Sequence, residues 1–251
     1  MFERTGLYAE SWNVAWRLRK GTETLLSDKE TEFMIKKNSF RYWAADPFLF
    51  EYNGEVYIFA ELYDYIHCRG SIGYCKWNGK KFEKWNQIIL EPYHLSYPYV
   101  FEKNGQVYII PESGADNSLY LYRAVNFPNQ WEKGKILREN VVYGDTTPFI
   151  WKEHNYALTY DVKNKKKYEL VLLDLEDSKK DYTLTGIQNI NMRRPAGKMI
   201  QIEKEHIRPA QKCIDDYGEG LIFYKYDCEQ GIYSEKEIGM IVPQNLKYSK
   251  I

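Results

Sequence analysis

The chain is poor in the residues that staple or coordinate: 4 cysteines and 4 histidines among 251 residues. Cys68, Cys75, Cys213 and Cys228 make no Cys-x-x-Cys pair and have no histidine cluster beside them. No zinc site, and no other metal or cofactor, is expected. A domain of this size folds without disulfides, so the thiols are read as free. An excess of one charge is also missing, since 35 Lys and Arg balance 35 Asp and Glu. That disfavours a generic nucleic-acid binder or a polybasic membrane binder. No window approaches a membrane span. The opening Met-Phe-Glu-Arg-Thr-Gly lacks the apolar core of a signal peptide. The expectation is a cytoplasmic protein without membrane insertion. Helix-period patterns, low-complexity tracts and interdomain linkers are absent as well.

What is abundant is aromatic: 23 Tyr, 11 Phe and 7 Trp. Most of these fit β propensity and packing between sheets, while a minority suit sugar stacking. One stretch organises the rest. Trp43 to Glu61 reads as two short strands around Asn53-Gly54, the strongest short-range hairpin signal. Tyr97 to Glu112 repeats it around Asn104-Gly105, Thr147 to Asp161 repeats it with a turn expected to be two residues shorter, and Ala196 to Gln211 is a divergent fourth copy.

Aligned on Asp46, Tyr97, Thr147 and Ala196, the copies recur at intervals of 51, 50 and 49 residues. A period near fifty with several strands per repeat is the mark of a β-propeller. The expected fold is all-β: a single five-bladed propeller of four-stranded antiparallel blades spanning 1–251. Blades are expected near 42–92, 93–140, 141–191 and 192–242. A fifth, from 1–40 plus 243–251, would close the ring by pairing N- and C-terminal strands, leaving no free edge.

The first strand of each hairpin starts, and the second ends, at one rim of the central channel. That rim gathers Asp46, Tyr97, Asp145 and Arg194 from strand starts, and Glu61, Glu112, Tyr160, Arg208 and Gln211 from strand ends. Carboxylates and arginines there either pair to close the channel or form a reactive pocket.

Ala45-Asp46-Pro47-Phe48 in a five-fold β repeat resembles the five-bladed propeller glycosidases, the glycoside hydrolase family 43-like superfamily. The resemblance implies Asp46 as base or nucleophile and Asp145 as the carboxylate that tunes it. A closer likeness covers nearly the whole chain. Ala45-Asp46-Pro47-Phe48, His94-Leu-Ser-Tyr-Pro98, Pro111-Glu-Ser113, Leu121-Tyr-Arg-Ala124, Arg194-Pro-Ala-Gly197 and Arg208-Pro-Ala-Gln211 resemble the N-terminal propeller domain of glucosamine inositolphosphorylceramide transferases and their bacterial relatives. That implies surface or capsular polysaccharide biosynthesis. The expected general acid is replaced by Arg193-Arg194, which leaves Glu112 as the first substitute acid and Glu61, beside Asp46, as the second or as a group that only positions Asp46.

The expected function is therefore a glycosyltransferase with a sugar phosphate or nucleotide sugar as donor and a glycan as acceptor, and a partner glycosyltransferase domain is a further expected partner. A non-catalytic glycan-binding propeller and a family 43-like hydrolase are the alternatives. Asp46, Asp145 and Glu112 are the expected catalytic groups. Glu61, His94, Tyr97, Arg193, Arg194, Arg208 and Gln211 are expected to bind substrate. Arg194 and Arg208 would clamp a departing phosphate, unless they clamp a carboxylate sugar or merely neutralise Glu61 and Glu112.

Overall fold

A computed structural model describes residues 11–18, 33–163, 169–184, 193–202, 204–214, 217–230 and 232–241. A two-stranded ribbon pairs β1 (Val14–Trp16) with β2 (Met34–Lys36). Four antiparallel four-stranded blades follow. Blade one holds β3 (Tyr42–Tyr52), β4 (Glu55–Asp64), β5 (Arg69–Lys76) and β6 (Asn86–Ile89). Blade two holds β7 (Ser96–Lys103), β8 (Gln106–Glu112), β9 (Ser118–Asn126) and β10 (Gln130–Glu139). Blade three holds β11 (Tyr143–Trp151), β12 (His154–Asp161), β13 (Leu170–Asp174) and β14 (Tyr182–Thr183). Blade four holds β15 (Ile200–Ile202), β16 (Glu205–Lys212), β17 (Gly220–Glu229) and β18 (Ile232–Ile241).

The expectation of five blades is corrected to four. Among the described residues, β1 pairs only with β2, and no N-terminal strand pairs with a C-terminal one. The ribbon is instead a packing element. Val14 is buried with Ala44, Ile58, Ala60, Leu62, Cys75 and Phe82 of blade one, and Trp16 meets Trp77 and Phe82 edge-on. Too short to build four strands, it covers blade one with side chains. The expected closing strand at 243–251 lies outside the described residues.

The aromatic wealth is spent mainly between blades. Phe48, Phe50, Tyr57 and Phe59 of blade one pack with Tyr97, Val100, Ile109 and Tyr122 of blade two. Ile110 and Leu119 meet Ala157, Val171 and Leu173 across the next joint. Phe149, Leu158 and Leu172 meet Tyr226, Cys228 and Tyr233 across the last. Each joint removes large apolar faces from water, the dominant stabilising term.

The repeat register also needs correction. The tight turn of blade three is Lys152-Glu153, two residues long like Asn53-Gly54 and Asn104-Gly105. All six turn residues have positive φ, as the favoured two-residue hairpin requires. Counting back seven residues from the first of each turn reaches Asp46, Tyr97 and Asp145. Asp145, not Thr147, is the counterpart of Asp46.

Candidate active site

A β-bulge makes those three positions special. In blade one Ala45 pairs with Glu61 and Phe48 with Phe59, so Asp46 and Pro47 together oppose Ala60. In blade two Ser96 pairs with Glu112 and Tyr99 with Ile110. In blade three Gly144 pairs with Tyr160 and Thr147 with Leu158. The first bulge residue is left-handed each time, with φ 50° at Asp46, 45° at Tyr97 and 51° at Asp145. Non-glycine residues avoid this region at a cost of roughly 1–2 kcal/mol each. Bulges re-aim side chains, and here three of them aim at one mouth.

The groups they gather are linked. Asp46 Oδ2 accepts from the Tyr97 amide at 3.3 Å. Glu112 Oε2 accepts from the Asp145 amide at 3.1 Å. Asp145 Oδ2 accepts from Arg194 Nε at 2.5 Å and from Gln211 Nε2 at 3.2 Å. The Arg194 guanidinium lies over the Tyr160 ring at 4.6 Å and near Tyr217 at 5.3 Å. Its terminal nitrogens make no hydrogen bond among the described residues. The Tyr97 hydroxyl bonds Thr147 Oγ1 at 2.8 Å and accepts from the Gly197 amide at 2.7 Å.

Glu61 stands beside this set, only 5% exposed. His94 Nδ1 accepts from the Gly70 amide at 3.0 Å, which places the ring hydrogen of the neutral imidazole on Nε2, 3.3 Å from Glu61 Oε1. That oxygen is buried yet has no hydrogen-bond partner among the described residues. Gly70 permits the close approach, because a Cβ there would collide with the Leu95 carbonyl and Glu61 Oε1.

Three carboxyl groups feel one arginine and Glu61 stands beside them, and their acidities follow. Burial first, then Asp145, lifts Asp46 to about 7, against the pull of Arg194 and the Tyr97 amide. Burial and Asp145 lift Glu112 to about 8. Burial, then Asp46, Glu112 and Asp145, lift Glu61 to about 9. Burial also raises Asp145, with Arg194 opposing it. At neutral pH the mouth thus holds a carboxyl near its midpoint beside two that keep their protons.

Asp46, Glu61, His94, Tyr97, Glu112, Asp145, Arg194 and Gln211 are brought together. Arg193 and Arg208 belong to a different group. Arg208 is fully buried and grips Glu235 with Nε and Nη2 at 2.8 and 2.9 Å. Arg193 Nη1 bonds the same carboxylate at 2.7 Å, and Arg208 Nη1 bonds the Arg193 carbonyl. Arg208 is a buried strut, so the expected pair of phosphate-clamping arginines reduces to Arg194. Sequence reasoning missed Glu235, whose strand lies outside the repeated hairpin. It also missed Tyr217, which no motif marks.

The fold is a bladed β-propeller with a mouth lined by buried carboxyls, and comparison with known proteins supplies the family. The family described as "Glucosamine inositolphosphorylceramide transferase 1, N-terminal" matches residues 31–250, and the chain belongs to it. Glucosamine inositolphosphorylceramide transferase 1 of Arabidopsis thaliana is 28% identical over 218 residues, covering 82% of this chain. The chain spans 28% of that relative's length. In fold it is similar to an exo-1,5-α-L-arabinanase from a bovine ruminal metagenomic library, with TM-score 0.56, 10% identity and coverage of 84% and 88% of the two chains. The GH43_1 enzyme of Xanthomonas citri, solved with xylotriose, gives TM-score 0.59 and 10% identity over 80% of this chain and 74% of its own. All three are carbohydrate-active proteins. No helix among the described residues is long and apolar enough to cross a membrane.

Proposed function

We propose that the chain is a glycosyl-transferring enzyme whose reaction takes place at the Asp46–Glu112–Asp145 mouth. The observation that carries this reading is the convergence of three carboxyls on one mouth: Asp46 Oδ2 accepts from the Tyr97 amide at 3.3 Å, Glu112 Oε2 from the Asp145 amide at 3.1 Å and Asp145 Oδ2 from Arg194 at 2.5 Å, with burial lifting Asp46 and Glu112 above the usual carboxylate range. A base works best near the operating pH, and an acid must hold its proton there. Asp46 takes the proton of the acceptor hydroxyl as that oxygen attacks the anomeric carbon. The bond to the leaving oxygen breaks, and Glu112 supplies a proton where that oxygen needs one. Burial first, and then the field of Asp145, which Arg194 and Gln211 fix in place, raise Asp46 above the usual carboxylate range. The terminal nitrogens of Arg194 favour a donor whose leaving group carries phosphate, which a guanidinium binds well. The family and the fold neighbours support a sugar as the transferred unit, and surface-glycan synthesis is the setting we propose.

The test is turnover of a panel of nucleotide sugars, sugar 1-phosphates and aryl glycosides by the parent, Asp46→Asn and Glu112→Gln. We expect turnover of a phosphorylated donor, a loss of at least a hundredfold in Asp46→Asn, and unchanged folding. Turnover of aryl glycosides alone would make the chain a hydrolase. Ligand binding without turnover, undisturbed by Asp46→Asn, would make it a glycan-binding module.

A further inference from the structure

Two rings stack beside the acid mouth, and the carboxyl chemistry gives them no task. Trp43 on β3 and Tyr63 on β4 are cross-strand partners. Their centroids are 4.7 Å apart and their planes differ by 6°. Both are only half-buried. Two residues along each strand, on the same face, Ala45 pairs with Glu61. The stack therefore runs on towards the Glu61 carboxyl, with the small Ala45 side chain opposite Glu61. The His94 ring flanks Tyr63 at 6.4 Å, with Nε2 facing Glu61.

Packing explains a stacked pair but not its neighbour. Glu61 Oε1 is buried without a hydrogen-bond partner among the described residues, an arrangement that folded proteins avoid unless another group completes it. A pyranose ring fits these demands together. It has an apolar C–H face for an aromatic surface, and hydroxyls that both donate and accept. We propose that Trp43, Tyr63, Glu61 and His94 form the acceptor subsite: one pyranose lies against the Trp43–Tyr63 stack, donates a hydroxyl to Glu61 Oε1 and accepts from His94 Nε2. Only its role as the acceptor site rests on the transferase reading. The binding of a sugar there does not.

The experiment follows the seven tryptophan indole signals of the nitrogen-15-labelled protein. Methyl α- and β-pyranosides of glucose, galactose, mannose and N-acetylglucosamine are titrated in turn. The Trp43 signal is assigned by its loss in Trp43→Phe. At least one pyranoside should shift that signal, and its affinity should fall tenfold or more in Trp43→Leu and Tyr63→Leu. Tyr63→Phe should bind within about threefold of the parent, because the ring remains. Donor binding should be unchanged in Trp43→Leu. The parent titration decides the matter even if a leucine variant fails to fold. A Trp43 signal that no pyranoside moves, or leucine variants that bind like the parent, would overturn the subsite. A shifted Trp43 signal with no donor turnover would instead keep the subsite and remove the transferase reading.

Discussion

Glu61 shows how one buried carboxyl shapes the response of the fold to pH. Its folded value near 9 lies far above the ordinary 4.5. The native state therefore holds a proton that the unfolded chain releases. Glu112 and Asp46 act in the same direction, with folded values near 8 and 7. Their stabilising effect is fully present below the unfolded values and is lost as pH rises through the folded ones. Each contributes a slope of up to about 1.4 kcal/mol per pH unit between the two. Asp64 runs the other way. Burial would raise it, but Arg41, His67 and two backbone amides hold it well below the usual range. Its contribution is present above 3.8 and is lost as pH falls. Urea melts from pH 4 to 9 should find maximum stability on the acid side, near pH 5, with a steady fall towards 9. Glu61→Gln should flatten that fall. A parent that is equally stable at pH 5 and 8 would remove this account of the mouth.

At the scale of elements, the third hairpin carries a local conflict. Lys152 and Glu153 both adopt positive φ, 46° and 67°, where the other two turns end in glycine. Glycine reaches that region without a Cβ penalty. Glu153→Gly should therefore raise stability by about 1 kcal/mol, read as a higher urea midpoint at constant slope. The same turn shows where the sequence stopped being legible. Asn53-Gly54 and Asn104-Gly105 announce their hairpins through residue type. Lys152-Glu153 does not, and Pro148 draws the eye to an alignment two residues too far along. Alternation and turn chemistry made the blades readable. The bulges were not readable, because Asp, Tyr and Asp carry no common mark for a left-handed backbone. Rim position, with the Ala-Asp-Pro-Phe resemblance for Asp46 and Asp145, brought Asp46, Glu112 and Asp145 onto the list, and rim position brought Arg208 with them. Only the partner Glu235, on an outer strand, separates a buried strut from a mouth-lining arginine.

Across the whole molecule, side-chain bonds link blades that no strand pairing joins. The Tyr97 hydroxyl holds Thr147 of blade three and the Gly197 amide at the start of blade four. Lys198 reaches the Leu49 carbonyl of blade one at 3.1 Å and lies over the Phe50 and Tyr99 rings. Tyr97→Phe keeps the ring but takes the acceptor from the Gly197 amide and leaves Thr147 Oγ1 with its bond to the Asp145 carbonyl. The expected cost is about 2 kcal/mol, measured by urea melts, with the blades otherwise intact. A loss below a few tenths of a kcal/mol would mean that the ring does not depend on this link. The period near fifty predicted blades correctly in kind. Extending that period to both termini overcounted them, because periodicity says nothing of strands that a short ribbon does not supply.

These bonds between blades also set an order in time. A chain growing from its N-terminus can pair the hairpins of blades one to three from neighbouring residues alone. The Asp145–Arg194 bond spans 49 residues, the Tyr97–Gly197 bond 100 and the Leu49–Lys198 bond 149. None can form until synthesis passes Arg194. Until then Asp145 lacks its guanidinium, and Asp46 and Glu112 lack the positive charge that lowers their pKa. The charge balance of the mouth is therefore among the last features of the molecule to be set during translation.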